Sequence, residues 1–154
     1  LTEEEASDRA LVFDIGLLTR RVLDATVWLR KEADTRDLSI GYFGASTGAA
    51  AALSAAAQEG TRVAAVVSRG GRPDLAADAL RRVQSPTLLI VGGNDEPVVE
   101  LNRQAYSALR AEKELVIVPG ATHLFEEPGA LEEVASLARD WFLRHTAARL
   151  KRAA

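Results

Sequence analysis

Two stretches of this chain, Val63-Ala64-Ala65-Val66-Val67 and Leu88-Leu89-Ile90-Val91, are apolar at every position. A strand with one wet face alternates apolar and polar residues, so unbroken runs of this length belong in a sheet covered on both sides. The rest of the sequence supplies the covers. Strand-like and helix-like patterns alternate as strand 38–44, helix 47–59, strand 62–68, a short helix near 74–83, strand 86–92, helix 97–111, strand 114–118 and helix 128–148. This repetition predicts an α/β fold: a parallel sheet of about four strands with right-handed crossovers and helices on both faces. Ahead of it, Leu11, Ile15, Leu18, Val22, Ala25 and Leu29 recur at steps of three and four, which predicts one long helix from Asp8 to Arg30 with its apolar stripe on the sheet. Pro97 and Pro128 suit first helical turns, and Glu132 and Glu133 lie where the helix dipole favours anions. The last helix carries Leu131, Val134, Ala138, Trp141 and His145 on one stripe and ends in a basic tail, Arg149 to Arg152, suited to its carbonyl end. At this length the chain is expected to form a single domain, 1–154.

The first predicted strand runs into Gly44-Ala45-Ser46-Thr47-Gly48, and an alanine-rich helix follows. Glycine, any residue, serine, any residue, glycine between strand and helix is the sequence form of a nucleophile elbow. The serine is held in a strained backbone there while strand and helix approach closely, so Gly44 and Gly48 are both expected to remove side chains that would clash. Two later strands lead to the partners a serine nucleophile needs. Thr87 to Val91 passes through Gly92-Gly93-Asn94 to Asp95, and Leu115 to Val118 passes through Pro119-Gly120 to His123. All three candidates fall just beyond carboxyl ends of parallel strands, where open α/β sheets collect functional residues. A serine hydroxyl is a weak nucleophile until a histidine takes its proton, and an aspartate fixes the imidazole tautomer.

Each residue also has a plainer reading. Ser46 could cap the helix it precedes, Asp95 could form an Asx turn or cap before Pro97 with Glu96 as the acid instead, and His123 could be a loop histidine satisfied by backbone. His145, on the apolar stripe of the last helix, is expected to be packed. Arg69, in Ser68-Arg69-Gly70-Gly71-Arg72 after the second strand, could bind an anionic substrate group or simply belong to a glycine turn.

Composition narrows the remaining classes. With 22 acidic against 19 basic residues and a net charge of −3, the chain has no electrostatic reason to bind nucleic acid. No 18-residue apolar stretch or signal peptide is visible, so no membrane partner is expected and the cytoplasm is the default location. The absence of cysteine excludes disulfides and a thiol nucleophile. Two histidines in no ligand spacing imply no metal site, and no cofactor is expected.

Through Gly44-Ala45-Ser46-Thr47-Gly48, Val91-Gly92-Gly93-Asn94-Asp95 and Gly120-Ala121-Thr122-His123, the chain resembles the dienelactone-hydrolase-like branch of the α/β-hydrolase family over about residues 8–145. The resemblance implies the second half of that fold. Family members carry about four further strands before the long helix, and a loop there supplies one of two oxyanion-hole amides. The other amide would be the backbone N–H of Thr47, and Leu1 to Ala10 offers no candidate for its partner. Dienelactone hydrolases proper use cysteine where this chain has Ser46, which points toward esterase-like relatives. Some relatives sit beside a phosphoribosyltransferase domain, which nothing in this sequence resembles. The implied activity is hydrolysis of a small carboxylic ester, lactone or thioester through an acyl-enzyme. The chain has no methionine and begins Leu1-Thr2-Glu3-Glu4-Glu5, so it is expected to start inside a longer sequence, leaving strand 38–44 as a sheet edge open to self-association.

Two rivals remain at this point. Phe43 to Gly48 also resembles the glycine-rich turn of short-chain dehydrogenases, with Arg69 facing an NADP phosphate, but Ala50 replaces the third glycine and Arg110 stands where a lysine should follow Tyr106. A non-enzymatic, truncated hydrolase fold acting as a binding module is the other.

Overall fold

The computed structural model describes residues 9–153. Four strands, β1 (Tyr42–Ala45), β2 (Val66–Arg69), β3 (Thr87–Gly92) and β4 (Lys113–Val118), form one sheet in the order β1-β2-β3-β4. Every neighbouring pair is parallel, with Ala45 beside Arg69, Arg69 beside Ile90 and Ile90 beside Val116. The helices are α1 (Arg9–Val12), α2 (Ile15–Leu29), α3 (Thr47–Glu59), α4 (Ala77–Leu80), α5 (Glu96–Ala108) and α6 (Ala130–Ala153).

Strand periodicity divides the core into two faces. Val66 and Leu89 point to one, where they pack with Ala50, Leu53, Ala105 and Leu109 of α3 and of α5 and its end. Val67, Leu88 and Ile90 point to the other, against Val134, Ala138 and Trp141 of α6. Both apolar runs are therefore buried from two sides, as their composition requires. Alanines dominate α3, and six of them are buried with Leu53. Small side chains let that helix lie close over β1 and β2.

Several boundaries differ from the periodicity. The expected helix 8–30 is broken at Phe13 and Asp14, because the Asp14 carboxylate accepts the Leu17 N–H at 2.8 Å and starts a new helix. The buried positions of α2 include Thr19 and Thr26, whereas Ala25 is exposed. The stripe packs mainly on α3, with Ile15, Val22 and Leu23 against the cluster around Leu53, and it meets the sheet where Thr26 Oγ1 lies 2.8 Å from Tyr42 Oη. The segment 74–83 is a 3₁₀ turn, Pro73–Ala76, followed by the single turn of α4. Pro128 lies outside α6, since Gly129 at φ 84° cannot be helical, and Leu131 is exposed. The side chains of the basic tail 149–152 and residues 1–8 lie outside the described residues. Among the described residues, no helix is long and apolar enough to cross a membrane.

Candidate active site

Ser46 is the single residue between β1 and α3 and adopts φ 49°, ψ −123°. A side chain in that region costs about 1–3 kcal/mol, so the surroundings must hold it. They do so through the backbone on both sides: Ser46 N–H donates to Arg69 O at 3.4 Å, and Ser46 O accepts from Ala49 N–H at 3.2 Å and Arg72 N–H at 3.0 Å. The two motif glycines differ in role. A Cβ on Gly44 would lie 2.4 Å from Gly48 O and 2.7 Å from Ala49 Cα, whereas one on Gly48 would meet nothing within 4 Å. Close approach of strand and helix therefore explains Gly44, and the expected clash at Gly48 is absent. The Ser46 hydroxyl makes no bond to the helix it precedes. Thr47 begins α3, so its N–H has no acceptor within the helix, and its Oγ1 donates to Val12 O at 3.5 Å.

Asp95 stands three residues past β3 and precedes α5, but its side chain does not cap that helix. Its Oδ2 lies instead 2.6 Å from His123 Nδ1. The carboxylate is 15% exposed and the imidazole 40%, so the pair is shielded on the acid's side and open on the base's. Glu96, the alternative acid, is exposed at the first position of α5. Among the described residues the imidazole is hydrogen-bonded to Asp95 alone, and Ser46 Oγ does not bond it in this structure.

The loop carrying His123 is fastened to its neighbours at several points. Gly93 N–H donates to Val118 O at 2.8 Å, Asn94 N–H to Ala121 O at 2.9 Å, and Asn94 Nδ2 to Gly120 O at 2.9 Å. A Cβ on Gly92 would lie 2.5 Å from both Ala121 O and Thr122 O, so the two strand-end loops can lie this close only over a glycine. Thr122 N–H donates to Glu127 at 3.1 Å, and these contacts with Thr122 hold the Glu127 carboxyl below the ordinary carboxylate value. Phe125, wholly buried at φ 58°, anchors the loop from below. Arg69 completes the set: Nη1 donates to His123 O at 3.3 Å, and its guanidinium lies 5.4 Å from the centre of the Phe125 ring.

Arg69, at the end of β2, thus holds the histidine loop, a partner its own sequence context does not signal. The roles of Asn94, Phe125 and Glu127 likewise have no local sequence signal, because they depend on which loops meet. His145 is packed as its stripe implied, 8% exposed with its ring centroid 4.5 Å from that of Trp141.

A parallel sheet with a strained serine at a strand-to-helix turn, and a carboxylate-bound histidine beyond later strand ends, defines the α/β-hydrolase class. The chain belongs to the dienelactone hydrolase family, whose sequence model matches residues 4–148. That membership sets aside the dehydrogenase alternative.

A crystal structure of dienelactone hydrolase from Anabaena variabilis ATCC 29413 is 57% identical, with a TM-score of 0.92 over 95% of this chain and 69% of that one. Est1E from Butyrivibrio proteoclasticus shares the fold at 18% identity, with a TM-score of 0.75 over 86% of this chain and 71% of its own. A curated protein of Mycobacterium tuberculosis (strain H37Rv), Rv0571c, carries the name of a phosphoribosyl transferase and is 61% identical over 145 residues, or 94% of this chain. The chain spans about a third of the length of the curated relatives it matches, 33% in each case.

Proposed function

We propose that the chain carries the hydrolytic site of a serine hydrolase acting on a small carboxylic ester, lactone or thioester. Ser46 Oγ adds to the carbonyl carbon as His123 Nε2 takes its proton, and the imidazolium then returns that proton to the departing alcohol or thiol. Water repeats the sequence on the acyl-Ser46 ester and releases the acid. Asp95 holds the proton on Nδ1 and so keeps Nε2 free to act as base. Thr47 N–H, unclaimed by its helix, is one donor to the oxyanion. Arg69 serves first to place the histidine loop, and it is the cation at hand for an anionic group on the substrate. The contact between Ser46 and His123 closes when substrate is bound, as catalytic hydrogen bonds commonly do.

The observation that carries this reading is the 2.6 Å contact between Asp95 Oδ2 and His123 Nδ1, on the same sheet edge as a strained serine whose hydroxyl is not used as a cap. The name of the M. tuberculosis relatives offers a second reading, phosphoribosyl transfer. The matched segment favours hydrolysis, because a carboxylate-bound histidine activates a hydroxyl nucleophile whereas a diphosphate calls for a cradle of backbone amides and cations. We therefore assign any transferase activity of those relatives to the two thirds of their length outside the match.

The test is covalent. Purified protein treated with a fluorophosphonate should gain one adduct on Ser46 by intact mass and peptide mapping, and it should hydrolyse p-nitrophenyl esters. Ser46→Ala should lose both properties. Labelling and turnover that persist unchanged in Ser46→Ala would reject the role.

A further inference from the structure

The loop Gly70-Gly71-Arg72 touches both halves of the site. On one side, Arg72 N–H donates to Ser46 O at 3.0 Å, and the preceding Arg69 carbonyl accepts the Ser46 N–H at 3.4 Å. On the other side, a Cβ built on Gly70 would lie 3.1 Å from His123 O and 3.7 Å from His123 Cε1. The middle residue leaves no room for adjustment: a Cβ on Gly71 would sit 2.0 Å from Ser68 Oγ and 2.7 Å from Ala49 Cβ.

What grips this residue is Asn102, on α5. Its Nδ2 donates to Gly71 O at 3.0 Å and to Val98 O at 2.8 Å, and the side chain is wholly buried. Two carbonyl acceptors fix which way the amide points, since the flipped form would set Oδ1 against both. The arrangement is costly for the core. Asn102 Oδ1, and Ser68 Oγ beside Gly71, are both buried without a hydrogen-bond partner among the described residues. A buried atom of this kind loses the hydrogen bonds it makes with water in the unfolded chain, and for Oδ1 an apolar side chain at position 102 would avoid that cost. Local rules are broken in this way where position matters more than stability.

We infer that Asn102 is a positioning residue: through Gly71 it sets the spacing between the Ser46 backbone and the His123 loop. The inference rests on the hydrolase reading above. Asn102→Leu keeps the branch at the same carbon and removes the unpaired oxygen, but it also leaves the buried Gly71 O without its donor, so the two effects on stability oppose one another. The variant should fold with little or no loss of thermal stability, yet lower kcat and the rate of Ser46 labelling about 10- to 100-fold, with KM changed less than about threefold. Leu109→Ala, at the far end of α5, should show the opposite split, with lowered stability and unchanged kcat at a permissive temperature. If Asn102→Leu does not fold, Asn102→Ser is expected to show the same loss, because its short hydroxyl bonds back to Val98 O and does not reach Gly71.

Labelling and kcat within twofold of wild type in the folded variant would overturn the inference while Ser46→Ala remained inactive. Activity persisting in Ser46→Ala would instead overturn the hydrolase reading itself.

Discussion

Asp95 and His123 come from two different strand ends and meet with 2.6 Å between Oδ2 and Nδ1. With Nδ1 donating to the carboxylate, Nε2 is left as the acceptor that a hydroxyl requires. Asp95→Asn keeps the shape but lets the amide stabilise the opposite tautomer. Its kcat is expected to fall on the order of 10³- to 10⁴-fold with fluorophosphonate labelling correspondingly slow, while the fold is retained. Stopped-time labelling against circular dichroism checks this, and a labelling rate close to wild type would show that the pair does not orient the base.

The elbow glycines should separate under substitution. Gly44→Ala places a Cβ 2.4 Å from Gly48 O, against backbone that cannot move without shifting α3, whereas Gly48→Ala enters open space inside a helix. Thermal unfolding should show Gly44→Ala destabilised by about 1–3 kcal/mol or more. Gly48→Ala should be neutral or up to about 1 kcal/mol more stable, since alanine suits a helix better than glycine. Equal losses from the two would contradict the assignment.

His145 should impose a pH dependence on stability. Burial against Trp141 and the nearby Arg144 charge hold its imidazole below the ordinary value, outweighing the attraction of Glu112, whose Oε1 lies 3.7 Å from Nε2. The unfolded chain takes up the proton near pH 6.5, and the folded one only below that. Between those two points the unfolded state binds more protons, so this contribution is intact above about pH 6.5 and is lost as pH falls below it. His145→Phe should flatten the decline in Tm between pH 7.5 and 5 relative to wild type. Parallel curves would remove His145 from the account.

β1 is an outer strand of the described sheet, and Phe43 on it is 52% exposed. An apolar edge with unpaired N–H and C=O groups recruits another strand. The 154-residue chain is expected to sediment as more than a monomer at micromolar concentration, and Phe43→Lys to shift it toward monomer. A wild-type monomer indistinguishable from the variant would show that this edge does not self-associate.

Periodicity and motif spacing were enough to read the parallel sheet and the placement of Ser46, Asp95 and His123 beyond strand ends. The reason is that burial on two faces, a 3.6-residue repeat and a tight strand-to-helix turn are demands each segment makes of its own residues. The break before α2 was also local, but Asp14 could be recognised as a cap only once the chain was seen to turn there. The remainder was decided between segments. Asp95 rather than Glu96 faces His123, Arg69 holds the histidine loop, Gly44 alone meets the helix backbone, and Asn102 reaches the Gly71 carbonyl across 31 residues of chain. Such contacts follow from how the loops at one sheet edge are folded against one another, and no local pattern records which distant backbone a side chain will meet.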